Sequence, residues 1–546
     1  MERMVEPGSG DSPEEPHGDA MPALAGMEIE LKLAADPEVL RKLAKAPIVA
    51  DSLAGGRLVT RTLHSVYYDT PDHRLLQRGV NLRVRKVGRR FVQTVKTATA
   101  NGILERGEWE TPVPSLDPVL AAVTQPEPRS LLADLAGEPL VAVFATRIKR
   151  QKTKLAETDT GAVVEIALDQ GDVETLGKRQ PVNEVELELV AGAPSAIYRL
   201  AQRLIADFPL RTEWRSKSAR GYALARGRPP TASKADRPCL SQEDSVGDGL
   251  RAILMHCFKH WTDNEAVVLD GSDIEGVHQM RVALRRLRSA LGLFRDVIPP
   301  ADLAWLQEES RWLAGSLGPA RDWDVFCTTV LGPVAGFAAG DAALHALTPL
   351  AEEKRREGYR TAAAAIGDPR YTRFALRFAE WVEDAGWRHA PPDGAAAQPA
   401  WLDRPMADLA ATILRDRHRK ALKAGRKFTE LSPQARHRLR IQLKKLRYAA
   451  DFFRDLYKSK RVRGYMTALS RLQDALGQLN DVSVARGLLV DLAHAPGEPD
   501  AQVARAFAAG EVLGWHQRLA AESTEELAQD WQDFKETPPF WPTGAG

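Results

Sequence analysis

The sequence predicts two domains of different class, an N-terminal α+β or β-barrel domain followed by an all-helical one. Three observations carry that expectation. Apolar residues alternate with polar ones from Met27 to about Arg228, and recur at helical spacing from about Asp244 onward. Between the two patterns, GRPPTASKADRP (227–238) has the composition of a linker. A chain of 546 residues is also too long for a single hydrophobic core.

Composition narrows the class further. Hydrophobic residues at 44% and charged residues at 27% are the proportions of a globular protein. A net charge of +2 gives no overall attraction to nucleic acid, so any polyanion site must come from local clustering. Cys239, Cys257 and Cys327 have no C-x-x-C spacing, so neither a disulfide framework nor a thiolate zinc site is implied, which suits a reducing cytosol. Residues 1–26 are rich in Pro, Gly and acids and lack a basic and an apolar region, so they read as a disordered tail and not a secretory signal. No window reaches the roughly 18 uncharged apolar residues of a membrane span.

In the first domain the strands are MEIELKL, VNLRVRKV, RFVQTVKT, GEWETPV, VVEIALD and NEVELELV, with helical stretches DPEVLRKLAKA and SAIYRLAQRLIADF between them. Their polar faces are ionised. Glu28, Glu30 and Lys32 share one face of the first strand; Arg83 and Arg85, Thr94 and Lys96, and Glu184, Glu186 and Glu188 do so on others. A single such strand is ordinarily a solvated face with scattered ion pairs. Several of them, closed into a barrel, gather acids and bases in one lumen. Carboxylates suit a hard cation such as Mg²⁺, and Arg and Lys suit phosphates. Together they suit a metal-bridged polyphosphate, with phosphoryl transfer to water as the chemistry.

E-x-E-x-K at Glu28, Glu30 and Lys32, YYDTPD (67–72), LRVR (82–85), TVK (94–96), EIALDQG (165–171), EVELEL (184–189) and SKSARGYAL (216–224) together resemble the CYTH family of triphosphate tunnel metalloenzymes. The resemblance covers about 27–228. It implies an eight-stranded antiparallel β-barrel forming a tunnel, and a divalent-metal-dependent inorganic triphosphatase using Mg²⁺ or Mn²⁺. It implies metal ligands at Glu28, Glu30, Asp169, Glu184 and Glu186, with Glu165 and Glu188 either ligands or carboxylates behind them. Triphosphate would be held by Lys32, Arg83, Arg85, Lys96, Arg147 (or its neighbour Lys149), Lys217 and Arg220. Glu28, Glu30 and Lys32 would be catalytic. Adenylyl cyclases of the same family are the nucleotide-processing alternative, for which no base-recognition signature is present.

In the second domain HQMRVALRRLR (278–288) returns as HRLRIQLKKLR (437–447). Nine of nineteen positions agree between 278–296 and 437–455, and the same offset aligns Leu313, Leu317, Gly318, Asp322 and Val325 with Leu472, Leu476, Gly477, Asp481 and Val484. A helical unit is therefore duplicated, which predicts two bundles about a pseudo-two-fold axis. At about 100° per residue, His278, Arg281, Arg285 and Arg288 form a stripe roughly 80° wide beside a core stripe of Met280, Leu284, Leu287 and Leu291. Neither copy interleaves acids, and like charges at i,i+4 destabilise a helix, so the stripe points to a polyanion partner. RDRHRKALKAGRKF (415–428) adds further cations before the second copy. RDWDV (321–325) becomes NDVSV (480–484), so the two lobes need not contribute equally. His256 and His260, and the tryptophans, read as packing.

The duplicated H-x-x-R-x-x-x-[RK]-[RK]-L-R is similar to that of the CHAD domain, the conserved-histidine α-helical domain, over roughly 245–530. A CYTH domain followed by a CHAD domain is an architecture of bacterial proteins. The resemblance implies an α+β multidomain chain. Its tail would be 1–26, its tunnel domain 27–228, its linker 229–243 and its helical domain 244–535. The two repeats would lie at about 245–385 and 402–530, with a second tail at 536–546. It implies binding of inorganic polyphosphate through His278, Arg281, Arg285, Arg288, His437, Arg440, Lys444, Arg447, Arg419, Lys420 and Lys427. The expected partners are inorganic triphosphate and polyphosphate, with neither membrane nor nucleic acid. The expected location is the cytoplasm, with polyphosphate granules open to it. A granule-binding protein that does not hydrolyse is the other reading.

Overall fold

A computed structural model describes residues 27–542 apart from 51–57, 99–103, 136, 158–160, 339, 390–401, 458–459 and 523, with backbone alone for 98, 478–483, 520–522 and 524–525. The predicted tail 1–26 lies outside the described residues. The chain divides into two compact units, one ending at Ala201 and the other beginning at Gln202.

The first unit is a closed antiparallel barrel. Its strands are β1 (Met27–Ala34), β2 (Val59–Asp69), β3 (Val80–Val87), β4 (Arg90–Ala98), β5 (Glu105–Val113), β6 (Val141–Ala156), β7 (Val163–Thr175) and β8 (Lys178–Ala191). They follow one another around the wall as β5-β4-β3-β2-β6-β7-β8-β1, and β1 closes on β5 from Met27↔Gly107 to Ile29↔Glu105. The pleat divides each strand between two environments. Leu82, Val84 and Val95 pack outward with Leu75, Leu132 and Leu135 into an apolar cluster, so the charged residues alternating with them turn inward. The YYDTPD motif is a structural corner: the buried Asp69 carboxylate accepts from the backbone N–H of Thr70 (2.7 Å), Leu75 (2.9 Å) and Leu76 (3.0 Å). In EIALDQG, a Cβ on Gly171 would stand 1.9 Å from the Arg147 carbonyl oxygen, so only glycine allows β6 and β7 to approach there.

The second unit is helical, and its two copies are built alike up to one point. Helices Ile274–Leu293 and Pro433–Phe453 carry the repeated motif. They begin at equivalent caps, where Asp273 accepts from Glu275 N–H and Ser432 from Ala435 N–H. They meet through Phe294 and Phe453, a residue pair related by the duplication, with ring centroids 6.3 Å apart. In the first copy the next helix stops at Ser316 and a new one starts at Gly318; in the second, one helix runs from Arg461 to Ala493. Pro319, which has no N–H to continue the ladder, stands where the second copy has Gln478.

The apolar spacing of the helical unit closes on aromatic packing. Trp261 is buried against Phe374 (4.8 Å), and Phe258 stacks on Phe378 (5.3 Å). His260 is buried with Nε2 3.0 Å from Gln279 Oε1, which makes it part of the core, while His256 is half-buried one turn before it. The linker is pinned along this unit: Asn264 Nδ2 donates to the Ser233 carbonyl (2.9 Å) and Gln242 Nε2 to that of Leu456 (2.8 Å). The segment that follows Ala201 also belongs here. Trp214 packs edge-on against Phe258 and donates from Nε1 to Glu265 (3.1 Å).

Candidate functional site

Strand register assembles the charged face. Lys32 and Glu30 of β1 stand opposite Glu186 and Glu188 of β8. Across β8, Glu184, Glu186 and Glu188 oppose Asp169, Ala167 and Glu165 of β7, and Arg150 of β6 opposes Asp169. Arg83 and Arg85 of β3 oppose Tyr67 and Ser65 of β2, while Lys96 of β4 opposes Glu108 of β5. The barrel therefore brings Glu28, Glu30, Lys32, Arg83, Arg85, Lys96, Asp169, Glu184 and Glu186 into one lumen.

Most of these charges are held in pairs. Lys32 contacts Glu30, and Lys96 contacts Glu28 and also Glu108 (3.0 Å). Arg83 donates to Glu108 (3.0 Å) and Lys152 to Glu165 (2.7 Å). Arg150 grips Asp169 through Nε (2.7 Å) and Nη2 (2.6 Å), and also reaches Glu186.

The residual field has two poles. Burial raises the Glu188 carboxyl to about 7, and Glu28, Glu30, Glu165 and Glu108 push the same way. Burial lowers the Arg85 guanidinium to about 10, helped by Arg83 and Arg150. Acids thus crowd around Glu188 and cations around Arg85, while Tyr67, Glu108 and Glu28 hold the neighbouring Arg83 guanidinium above its ordinary value against its burial. On the acidic side, Asp169, Glu184 and Glu186 each offer an oxygen within 4.8 Å of the others, all three side chains being buried. An all-oxygen, all-carboxylate set of this size fits a hard divalent cation.

The expected position of a phosphate-binding cation on β6 needs correction. Arg147 is 63% exposed on the outer face and pairs with Glu174 (3.4 Å). Its neighbour Lys149 is exposed as well. Phe144, Thr146 and Ile148 are buried on β6, and the same phase carries Arg150 and Lys152 inward. Arg150, Lys152 and Glu108 were therefore missed. The alternation in FATRIKRQK, with Phe144 and Ile148 as the apolar markers, was the available signal. Lys217 and Arg220 are buried in the second unit at the start of helix Lys217–Arg226, whose cap is Ser216; Arg220 lies 3.9 Å from Glu213.

In the helical unit the repeated helices form the walls of a cleft of about 860 Å³. Its cations are Arg281, Arg285, Arg286 and Arg321 from the first copy, beside His278, and Arg440, Lys444 and Arg447 from the second, with Asp322, Asp451 and Asp474 as acids. Arg285 contacts the Tyr448 hydroxyl and Arg286 lies 5.1 Å above Phe452, so cations themselves hold the two helices together. Burial lowers the His278 imidazole to about 4, reinforced by Arg321, Arg285 and Arg281 and opposed by Glu275.

Not every expected cation reaches this cleft. Arg288 is turned away, with Arg311 beside it, and His437 is exposed outside the lining. Arg419 and Lys420 pair with Asp416, and Lys427 with Glu430, also outside it. A helix exposes a stripe wider than any one groove, so a cation's place on the stripe does not decide what it faces. Of the RDWDV motif, Arg321 lines the cleft, whereas buried Asp324 accepts from Arg355 (2.8 Å) and Tyr359 (3.0 Å). The equivalent side chains 480–483 lie outside the described residues.

A charged antiparallel tunnel and a duplicated basic helical unit define a protein of two joined modules. The CYTH domain family matches residues 26–222 and the CHAD domain family residues 252–490, so the chain belongs to the proteins in which a CYTH domain precedes a CHAD domain. An inorganic triphosphatase of Haemophilus influenzae is 28% identical over 201 residues, which are 36% of this chain and 54% of that protein. The chain thus matches about half the length of that relative. An uncharacterized Mycobacterium tuberculosis protein is 27% identical over 417 residues, 72% of this chain and 76% of its own. The crystal structure of the Ricinus communis CHAD domain is 32% identical, with a TM-score of 0.49, covering 57% of this chain and 99% of that one. Among the described residues no helix is long and apolar enough to cross a membrane.

Proposed function

We propose that the barrel hydrolyses inorganic triphosphate with a divalent metal, Mg²⁺ or Mn²⁺, and that the helical cleft binds inorganic polyphosphate. The observation that carries the first part is a lumen in which the buried carboxylates Asp169, Glu184 and Glu186, two of them gripped by Arg150, share one barrel with the cations Arg83 and Arg85. The similarity to an inorganic triphosphatase supports it.

In this reading Arg83, Arg85, Lys96 and Lys32 bind phosphate oxygens and neutralise the charge that grows on them during transfer. Asp169, Glu184 and Glu186, with Glu28 and Glu30, would hold the metal, which supplies Lewis acidity and a more acidic water when bound. Overall a water oxygen bonds to the terminal phosphorus and the P–O–P bridge breaks, giving phosphate and pyrophosphate. Lys217 and Arg220 remain proposed triphosphate ligands.

Phosphate release from triphosphate with Mg²⁺ or Mn²⁺ is expected to stop on chelation and to fall at least about 100-fold in Glu28→Ala/Glu30→Ala. Release equal to that of the double variant would sink the enzymatic reading and leave a binding protein. ATP and thiamine triphosphate in the same assay test the nucleotide-processing alternative.

For the cleft, His278 makes binding depend on pH. Its folded value of about 4 lies below the ordinary 6.5, so it is neutral near pH 7. In the free protein the unfolded chain takes up this proton first, and His278 lowers stability as pH falls from 6.5 towards 4. A polyanion beside it favours the protonated form. Polyphosphate affinity should therefore rise as pH falls from 7 to 5, and His278→Gln should flatten that rise, measured by titration calorimetry at several pH values.

A further inference from the structure

The helix Pro433–Phe453 carries its charge beyond the cleft. Arg440, Lys444, Arg447, Asp451 and Arg454 lie at steps of four, three, four and three, a single stripe roughly 21 Å long at about 1.5 Å per residue. Four of the five are cations and Asp451 interrupts them. Its carboxylate is 3.8 Å from Arg447 on the cleft side and 3.9 Å from Arg454 on the far side. Past Asp451 lies a separate open cavity of about 840 Å³, lined by Arg237, Arg454, Lys460 and Arg463, with Asp455 and Tyr457.

Three features mark this cavity as more than a chance group of surface cations. Arg237 comes from the linker, which Gln242 fastens to the Leu456 carbonyl (2.8 Å), so a remote segment is fixed over the end of this helix. Tyr457 is anchored to the Ala407 carbonyl (3.1 Å) and sets the cavity wall. Arg454 and Asp455 have counterparts in Arg295 and Asp296 of the first copy, but the rest of the helical charge here belongs to the second copy alone. Lys460 and Arg463 stand where the first copy has Ala301 and Ala304, and Asp451 stands where it has Gly292.

We propose that this cavity is a second oligophosphate subsite, which takes the part of a long polyphosphate that runs out of the cleft, with Asp451 as the negative divider between the two. The proposal rests on the cleft reading above. Short chains occupy the cleft alone. Long chains must pass Asp451, whose charge opposes them, and gain the four cations beyond it.

The test is binding of short and long polyphosphate by the full chain, measured by calorimetry over a range of salt in wild type, Arg237→Ala/Arg463→Ala, Asp451→Asn and Arg285→Ala/Lys444→Ala. The tunnel is common to all four proteins and cancels. Arg237 and Arg463 are exposed, so their replacement leaves the fold intact. The Arg237/Arg463 variant should bind long chains about tenfold more weakly, with the salt slope reduced by about 1.4, and short chains within about twofold of wild type. Asp451→Asn should tighten long chains several-fold. Unchanged long-chain binding in the Arg237/Arg463 variant, with binding lost in the Arg285/Lys444 variant, overturns the subsite and leaves the cleft standing. Equal loss for both lengths overturns it too, because the sites would then be one. Unchanged binding in the Arg285/Lys444 variant overturns the cleft reading itself. Competition by duplex DNA as strong as that by polyphosphate overturns the ligand class.

Discussion

Arg150→Ala is expected to destabilise the metal-free protein by about 3–5 kcal/mol and to lower triphosphate hydrolysis by at least about 100-fold. Arg147→Ala should change stability by less than about 0.5 kcal/mol and activity by less than about twofold. The two residues are three apart on one strand, and the pleat sends them to opposite faces. Arg150 is a cation shared by Asp169 and Glu186, both buried, and its removal takes away the guanidinium that offsets their mutual repulsion. Added Mg²⁺ or Mn²⁺ should recover part of the lost stability, because a divalent ion restores the missing charge, whereas activity should stay low. Thermal unfolding with and without metal, together with phosphate release, reads all of this. Equal behaviour of the two alanine variants would contradict the inward placement of Arg150.

Arg285→Ala/Lys444→Ala should weaken polyphosphate binding by about 100-fold, from roughly 1.5 kcal/mol for each charged contact removed, and leave triphosphate hydrolysis intact. Each cation comes from a different copy, and both line the same cleft. Because a bound polyanion releases counterions, the dependence of log affinity on log salt should become shallower by about 1.4. A loss of affinity with no change of slope would assign the effect to lost packing of Arg285 on Tyr448. Loss of hydrolysis along with binding would show that the two activities share one site.

The barrel was legible because alternation is enforced by covalent geometry. Once Ile29 and Leu31 are on one side, Glu28, Glu30 and Lys32 are on the other, and no tertiary information is needed. Arg147 shows the limit of a motif read without its phase. The stretch is rich in cations at every second or third position, and only the apolar neighbours Phe144 and Ile148 tell which set turns inward. The duplication was legible because one offset relates many residues. Its functional asymmetry was not. His278 and His437 match in sequence, yet one is half-buried in the cleft and the other exposed, since neighbouring helices decide what each faces. The anchored linker was hidden for a similar reason: Ser233 and Gln242 gain their partners only once Asn264 and Leu456 are in place.

The barrel wall is not equally strong all the way round. Among the described residues β2 pairs with β6 over eleven positions, whereas β1 meets β5 over three, at Met27, Glu28 and Ile29, with Glu30 N–H donating to the Leu104 carbonyl beyond them (3.3 Å). That short seam is where the wall should open first, and amide hydrogens along it should exchange with solvent ahead of those in β6 and β7. Glu28 lies on the seam, and its contact with Lys96, which also reaches Glu108, ties β1 to β4 and β5 through side chains where backbone pairing is short. An anion that draws Lys96 away would loosen that tie. The seam would then breathe more freely while substrate is bound than while the lumen holds only its own ion pairs.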